Sequence, residues 1–222
     1  MLYNCETFGN KIPKNLESLY GKLIRCVLQV RANTPLYLLY VESGLLPIQA
    51  LVEARQYKFY NRFLTTLQEE GDRKYVIDQL ARNPSKYLKH YLELSRKYND
   101  QHDIYHYHFE NIKSKIRDYA TNNRYKFDIY LKMNPTLEKS PFLDCFHPNA
   151  ADITRFRLGS HNLPIEKGRW SRINRENRIC TTCNTLGDEK HVIHDCNLIF
   201  REDLNLINDD LCSIWTQHFL FI

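Results

Sequence analysis

The chain has 222 residues and a net charge of +5; 43% of its residues are hydrophobic and 26% are charged, which is typical of a globular protein with one large core or two small ones. Its 7 glycines and 8 prolines are too few for a loop-rich all-β fold, and no apolar run approaches the roughly 18 residues of a membrane span. Seven cysteines, an odd number, favour a reducing compartment and a metal over a disulfide framework, so we expect a nuclear or cytoplasmic protein.

The N-terminal part of the sequence predicts a run of helices. Aliphatic residues recur at helical spacing between residues 15 and 29. Thr34-Pro35 predicts a cap followed by a proline at the first helical position, and Gly44 predicts the end of that short helix. Pro47 predicts the start of a longer helix. Further helices are predicted over residues 73–81, 85–98, 105–119 and 127–131, with an interruption at Asn122-Asn123.

The C-terminal part predicts a different organisation. Residues 134–148 contain three prolines and predict a connector. A short helix is expected between Asn149 and Gly159, and a final helix over residues 202–218. We therefore predict a mainly α protein with a helical domain over residues 1–133, the connector over 134–148, and a small zinc-stabilised module with a C-terminal helix over 149–222.

The positive charge is concentrated in one segment between residues 155 and 178. Its basic residues exceed its two acidic ones, Glu166 and Glu176, by the whole net charge of the chain. Arginine suits planar contacts with phosphate, and Trp170 within the segment offers a ring on which a base can stack. The alternative is a solvated surface that packs on the helical domain. The predicted nucleic-acid-binding residues are Arg155, Arg157, Lys167, Arg169, Trp170, Arg172, Arg175 and Arg178.

A cluster of cysteines and histidines follows this segment. Cys180 and Cys183 suit one half of a zinc site, because two intervening residues let a tight turn aim both sulfurs at one ion. The other ligands must come from His191, His194 and Cys196. Five positions turn an α-helix through about 500°, so His191 and Cys196 can share an ion only if a one-turn helix from residue 189 ends before Cys196. We favour Cys180, Cys183, His191 and Cys196 as a closed, structural zinc site; a His191 and His194 pair is the alternative.

Other clusters carry less chemistry. His102 and His106 are one helical turn apart but lack acidic or cysteine partners, so we expect exposed histidines. Asp209-Asp210 has the paired aspartates of a polymerase palm but lies in the predicted terminal helix. Cys145 lies near His147 without a third member for a nucleophilic triad. We therefore predict that this chain is not an enzyme.

A series of short motifs runs through the C-terminal part. Arg-Leu-Gly-Ser-His at 157–161 is followed by Leu-x-Ile-Glu-x-Gly-Arg-Trp at 163–170, then Cys-x2-Cys, an acidic pair and His-x4-Cys. This order resembles the C-terminal tail of LINE-type (non-LTR) retrotransposon reverse transcriptases. Upstream, Thr34, Glu42, Gly44 and Pro47 are similar to the helical segment that follows the polymerase thumb in those polyproteins.

The resemblance implies nucleic-acid binding in support of target-primed reverse transcription. The partners that the resemblance implies are RNA and/or DNA and the rest of a reverse transcriptase polyprotein, with no membrane. The palm and endonuclease segments of that family are absent from this sequence, so its enzymatic activities do not carry over. We expect a fragment, a decayed copy or a tail that serves as a host protein. The rival hypothesis is a helical protein-interaction scaffold in which zinc is a structural staple.

Overall fold

The computed structural model describes residues 14–68, 82, 86–98, 103–122, 124–144 and 150–197. This part of the chain is mainly helical, as predicted, and its one extended pairing is an antiparallel bridge between Ile179 and Leu186. Its α-helices are α1 (Lys14–Val27), α2 (Leu36–Ser43), α3 (Ile48–Gln68), α4 (Lys86–Tyr98), α5 (Ile104–Thr121), α6 (Tyr125–Met133), α7 (Ala150–Arg157), α8 (Pro164–Trp170) and α9 (Glu189–His194), and single 3-10 turns span Pro141–Leu143 and Arg175–Asn177.

Most helix ends lie where the sequence places them. Helix α2 ends at Gly44, whose φ of +68° is the left-handed conformation that glycine adopts without strain. The helix begins at Leu36, one residue later than predicted, with Pro35 at the cap position. Helices α5 and α6 are separated at Asn122, as the paired asparagines predict.

Several predictions concern residues outside the described ranges. They are the helices over 73–81 and 202–218, the histidine His102, the Cys145 and His147 pair, and the Asp209-Asp210 pair. His106 lies on α5 and is exposed. Within the described residues no single helix is long and apolar enough to cross a membrane; only α2 and residues 48–62 of α3, taken together as a bent pair, have that length and composition.

The chain divides into two compact units that are interleaved along the sequence. Unit 1 contains residues 1–23 and 45–115, and unit 2 contains residues 24–44 and 116–222. The predicted boundaries after residues 133 and 148 follow local composition, whereas these units follow contacts between segments that are distant in sequence. Those domain boundaries stay a prediction.

Unit 1 is organised around α3. Ile48 and Val52 pack against Leu16 and Tyr20 of α1, and the Glu17 carboxylate accepts a hydrogen bond from the Ile48 N–H at the start of α3 (3.0 Å). A second cluster joins α3, α4 and the first turn of α5. Its buried members are Ala54, Leu94, Tyr98 and Ile104.

A buried carboxylate links these same helices. Glu53 accepts hydrogen bonds from Lys97 (2.7 Å) and from the Tyr98 hydroxyl, and its carboxylate lies 3.5 Å from Nε2 of His108. Burial raises the pKa of Glu53, but the hydrogen bonds from His108, Lys97, Tyr98 and Gln49 outweigh it and hold the pKa well below its ordinary value. His108 therefore belongs to a structural network in unit 1.

Unit 2 has α2 as its central element. Five consecutive α2 residues, Leu38 to Glu42, are buried, which explains why this short helix lacks a polar face. A further cluster joins Phe156 of α7 to Val192 of α9, with Met133, Leu163 and Ile193 packed against it. Because α9 belongs to this core, the cysteine and histidine cluster is built onto unit 2.

Candidate metal centre and nucleic-acid interface

The four predicted metal ligands lie together in the structure. One ligand atom from each of Cys180, Cys183, His191 and Cys196 lies within 4.8 Å of every other, and Cys183 Sγ lies 4.0 Å from Cys196 Sγ. Tetrahedral zinc with Zn–S bonds of about 2.3 Å requires sulfurs about 3.8 Å apart. The cluster could therefore hold a metal ion, and it is the only such group of three or more residues found in the described ranges.

A tight hairpin places the first two cysteines. The Cys180 N–H donates to the Thr185 carbonyl (2.7 Å), and the Asn184 N–H donates to the Cys180 carbonyl (2.9 Å). Asn184 has a φ of +58°, a left-handed conformation that asparagine tolerates better than most residues. The hairpin continues outward into the bridge between Ile179 and Leu186. The Cys-x2-Cys spacing is thus realised as a turn that directs both sulfurs inward.

A one-turn helix supplies the other half of the cluster. The Asp188 carboxylate caps α9 by accepting a hydrogen bond from the His191 N–H (2.9 Å). The helix ends at His194, and the Cys196 N–H then donates to the His191 carbonyl (2.8 Å), which turns Cys196 back toward the first turn. This is the short helix that the five-residue spacing required. His194 is exposed and does not belong to the cluster.

His191 offers a buried ring nitrogen suited to a metal. Its Nδ1 lies 3.2 Å from Thr185 Oγ1, which fixes the orientation of the ring. Its Nε2 is buried and has no hydrogen-bond partner among the described residues. A buried ring nitrogen normally has a partner, and a metal ion is a chemically suitable one for imidazole. The donor set therefore fits a metal ion.

The surroundings of the Cys180 sulfur favour the thiolate, the form that binds metal. Burial raises the pKa of the Cys180 thiol, but the backbone N–H groups of Cys183 and Thr182 and the side chains of His191 and Cys196 more than offset it. The pKa falls from 9.0 to about 6. In addition, the Asn197 N–H donates to Cys183 Sγ (3.4 Å).

Three contacts join the segment that carries the metal ligands, residues 180–196, to the rest of unit 2. Glu189 is buried, lies 2.9 Å from Nε2 of His161, and accepts a hydrogen bond from the Tyr125 hydroxyl. The Gly187 carbonyl accepts a hydrogen bond from the Ile165 N–H (3.1 Å). Sequence reasoning did not assign these roles to His161 and Tyr125, although His161 and Glu189 both fall in the quoted motifs. His161 and Tyr125 lie 28 and 64 positions before Glu189 in the sequence, so no local pattern joins them to it.

The structure corrects the prediction that Arg157 belongs to the nucleic-acid-binding residues. The residue is 8% exposed, and its guanidinium donates to both carboxylate oxygens of Glu42 (2.8 and 3.2 Å). Tyr130 also donates to Glu42, at 2.8 Å. Because its charge is neutralised inside the core, Arg157 is not placed to contact phosphate. The upstream motif containing Glu42 and the downstream motif starting at Arg157 therefore meet as a buried ion pair.

Arg155 and Arg178 are also occupied by the protein. Arg155 donates to the backbone and side chain of Gln29 and pairs with Asp152 (2.8 Å). Arg178 donates to the carbonyls of Ile173 (2.7 and 2.9 Å) and Ile165 (3.2 Å). The stem of Arg178 crosses Gly168 so closely that a Cβ there would collide with it. Arg178 fixes the backbone close to it in sequence, whereas Arg155 connects α7 to Gln29, which lies 126 positions away.

The remaining predicted cations differ in exposure. Arg169 pairs with the fully buried Glu166 (2.7 Å), to which Lys126 also lies close (3.4 Å). Lys167, Arg172 and Arg175 are exposed, and the Arg175 guanidinium lies 4.9 Å from the centre of the Tyr125 ring. Fewer cationic side chains of the segment are exposed than the sequence predicted. The exposed ones are Lys167, Arg172 and Arg175.

Trp170 lies among these cations in the sequence and is 40% exposed. The guanidinium carbon of Arg31 lies 3.2 Å from the centre of the Trp170 ring. No local sequence pattern predicts this contact, because Arg31 lies 139 positions away in a loop after α1. The surface formed by Trp170, Lys167, Arg172 and Arg175, called the Trp170 surface below, combines an exposed ring with exposed positive charge.

Comparisons with known proteins add no relative to this description. Neither a protein-family model, nor a curated protein, nor a solved structure matches the chain.

Proposed function

We propose that this chain is a non-catalytic nucleic-acid-binding segment, similar in role to the C-terminal tail of a non-LTR retrotransposon reverse transcriptase. Its partners are RNA and/or DNA, in the nucleus or cytoplasm. In such a setting it would act beside the catalytic part of the reverse transcriptase and hold template or target, without supplying chemistry of its own.

The observation that carries the proposal is the Trp170 surface. Trp170 is 40% exposed, and Lys167, Arg172 and Arg175, which lie within five positions of it in the sequence, are exposed too. Cations contact phosphates, and an exposed aromatic ring can stack on a base, so the two groups together match the two parts of a nucleotide. A solvated charged surface has no need of the large exposed ring.

We propose zinc as the metal of the cluster. Three thiolates and one imidazole are the usual ligands of structural zinc, and the 4.0 Å sulfur separation suits its tetrahedral geometry. Four protein ligands leave no open position for substrate, so the ion would act as a cross-link. Three thiolates and Zn²⁺ carry a net charge of −1, which the neighbouring exposed Lys190 offsets.

The cross-link supports the binding surface through the backbone. The Gly187 N–H donates to the Arg178 carbonyl (2.9 Å), and the Gly187 carbonyl accepts from Ile165 in α8. Trp170 is the last residue of α8. Metal binding by Cys180 and Cys183 would therefore stabilise the hairpin that is hydrogen-bonded to α8. The metal would affect nucleic-acid binding indirectly, through this hairpin.

A binding titration tests the proposal. The full chain is titrated with structured RNA, duplex DNA and single strands at two salt concentrations. Binding should weaken as salt rises, because phosphate neutralisation releases counterions, with log affinity falling by about 0.7–0.9 per log unit of salt for each contact. Lys22→Ala with Lys115→Ala, which removes two exposed cations of unit 1, is the matched control and should leave the slope unchanged. Salt-independent binding, or none, would exclude the proposed function.

A protein-interaction scaffold is the second candidate, and one surface favours it. Leu19, Leu23 and Val27 recur every fourth residue on α1 and are 53%, 52% and 71% exposed. Such a stripe suits contact with an apolar partner helix. Replacing Leu23 and Val27 by serine should leave nucleic-acid binding unchanged under the first proposal. Loss of a salt-insensitive protein partner in the same variant would favour the scaffold.

A further inference from the structure

The two faces of the Trp170 ring are in different environments. One face is covered by the Arg31 guanidinium, 3.2 Å from the ring centre. That guanidinium is itself fixed, because it donates to the His161 carbonyl (2.9 Å) and to Asn162 Oδ1 (2.6 Å), while the Arg31 backbone N–H donates to Ser160 Oγ (2.8 Å). The ring is therefore supported from behind by a planar group that is held in place.

The Trp170 side chain keeps a large exposed area beside the Arg31 contact. Trp170 is 40% exposed although one face is covered, and among the described residues Arg31 is the only cation or ring that lies over it. A planar ligand can therefore approach from one side only. The stack of guanidinium and indole exists before any ligand arrives, so little side-chain ordering remains to be done on binding.

The end of α8 places an exposed arginine, Arg172, two positions after Trp170. Arg172 has a φ of +55° and follows the cap residue Ser171, and the Ile173 N–H donates to the Gly168 carbonyl (2.8 Å). This is the Schellman arrangement, in which the left-handed position is usually glycine. Helix α7 ends in the same arrangement and does have a glycine there, Gly159. A residue with a Cβ is strained at such a position, as is Gln29 where α1 ends in the same arrangement, and the Arg172 side chain is exposed two positions after Trp170.

We infer that Trp170, backed by Arg31, is a stacking platform for an unpaired base, and that the ligand of this surface is single-stranded nucleic acid. The inference rests on the proposed function and narrows it. In a duplex both faces of nearly every base are covered by its neighbours, whereas unpaired bases stack on aromatic rings and on arginine planes. Lys167 and Arg172, on either side of Trp170 in sequence, then meet the phosphates that flank the stacked base.

Tryptophan fluorescence in the full chain gives a direct readout. Trp215 is the other tryptophan of the chain, so in a Trp215→Phe background the signal comes from Trp170 alone. A base that stacks on the ring should quench this signal. The probes are one mixed-sequence oligonucleotide as single-stranded RNA, as single-stranded DNA and as duplex DNA, with polyglutamate as an anion that lacks bases. We expect quenching by both single strands and none by duplex or polyglutamate.

Substitutions at Trp170 separate stacking from apolar contact. Trp170→Leu keeps an apolar side chain but removes the ring, and it should weaken single-strand binding about 5- to 150-fold with an unchanged salt slope. Trp170→Phe keeps a ring and should recover much of that loss. Both variants should retain the metal, which shows that the hairpin beside α8 is intact.

Arg31 is a positioning residue in this scheme. Arg31→Lys keeps the charge but loses the planar guanidinium and its paired hydrogen bonds. The variant should therefore weaken single-strand binding and reduce the quenching at saturation, while the salt slope and the duplex affinity stay as in the parent. A merely structural Arg31 would instead lower stability and leave the quenching at saturation unchanged.

The outcomes distinguish this inference from the function on which it rests. Equal affinity for single strands and duplex, with Trp170→Leu changing neither, would overturn the stacking platform and leave nucleic-acid binding in place. Quenching or tight binding by polyglutamate would overturn it in favour of an acidic protein partner. Absence of binding to every nucleic acid would overturn both proposals together.

Discussion

Replacing Arg172 by glycine should make the protein more stable and a weaker binder at once. Arg172 occupies the left-handed position after α8 at a φ of +55°, and its side chain is exposed. Glycine adopts this conformation without steric cost. The substitution therefore removes backbone strain and, in the same step, one cation of the Trp170 surface.

The size of the stability change follows from two opposing terms. A residue with a Cβ in the left-handed region costs roughly 1–2 kcal/mol. Glycine gives back part of this gain, because it loses more backbone entropy on folding, by about 0.5–1 kcal/mol. We expect Arg172→Gly to raise the free energy of unfolding by about 0.5–1 kcal/mol. Arg172→Ala keeps the Cβ and should give no comparable gain.

The assay pairs denaturant unfolding with a salt titration of single-strand binding. Both Arg172→Gly and Arg172→Ala should lower the slope of log affinity against log salt by about 0.7, the value for one contact to a single strand. Only the glycine variant should be stabilised. A glycine variant that is less stable than the parent would refute the strain argument, and an unchanged slope in both variants would remove Arg172 from the interface.

Three further outcomes test other parts of the molecule. Cys183→Ser should release bound zinc, measured by elemental analysis, whereas His194→Ala should retain it; equal losses would contradict the ligand set. Arg157→Met should lower the free energy of unfolding by about 3–5 kcal/mol, because Glu42 keeps a buried unpaired charge, and should leave the salt slope unchanged; a lower slope would return Arg157 to the interface. The stabilisation from Glu53 is complete above its ordinary pKa of 4.5 and is lost as pH falls toward its lower folded pKa, so Glu53→Gln should flatten the acid side of the stability profile, and an unaltered profile by circular dichroism would refute this.

The parts of the fold that follow from local sequence were predictable. The break at Asn122 and the end of α2 at Gly44 depend on residues within one or two turns of the chain. The one-turn helix α9 followed from the angular spacing of His191 and Cys196. The same reasoning brought the four metal ligands together, because their spacing leaves few ways to surround one ion.

The parts that depend on distant segments were not predictable from pattern. An arginine that binds phosphate and an arginine that neutralises a buried carboxylate look alike in sequence. The sequence therefore predicts Arg157 at the interface, although its side chain pairs with Glu42. Trp170 was predicted as a stacking ring, but its support by Arg31 depends on a loop 139 positions away. Periodicity and composition report the neighbours of a residue along the chain. The contacts of Arg157 and Trp170 join segments that are distant in the sequence, so these patterns do not predict them.

The interleaving of the two units also sets an order of events during synthesis. Glu42 precedes its partner Arg157 by 115 residues, which a ribosome adding about 5–20 residues per second takes about 6 to 23 s to translate. Residues 45–115 of unit 1 emerge within that interval. Helix α2, whose residues Leu38 to Val41 are buried in the folded protein, is therefore synthesised before its partner Arg157 is present. For those seconds the nascent chain displays an apolar stretch that a ribosome-associated chaperone could hold.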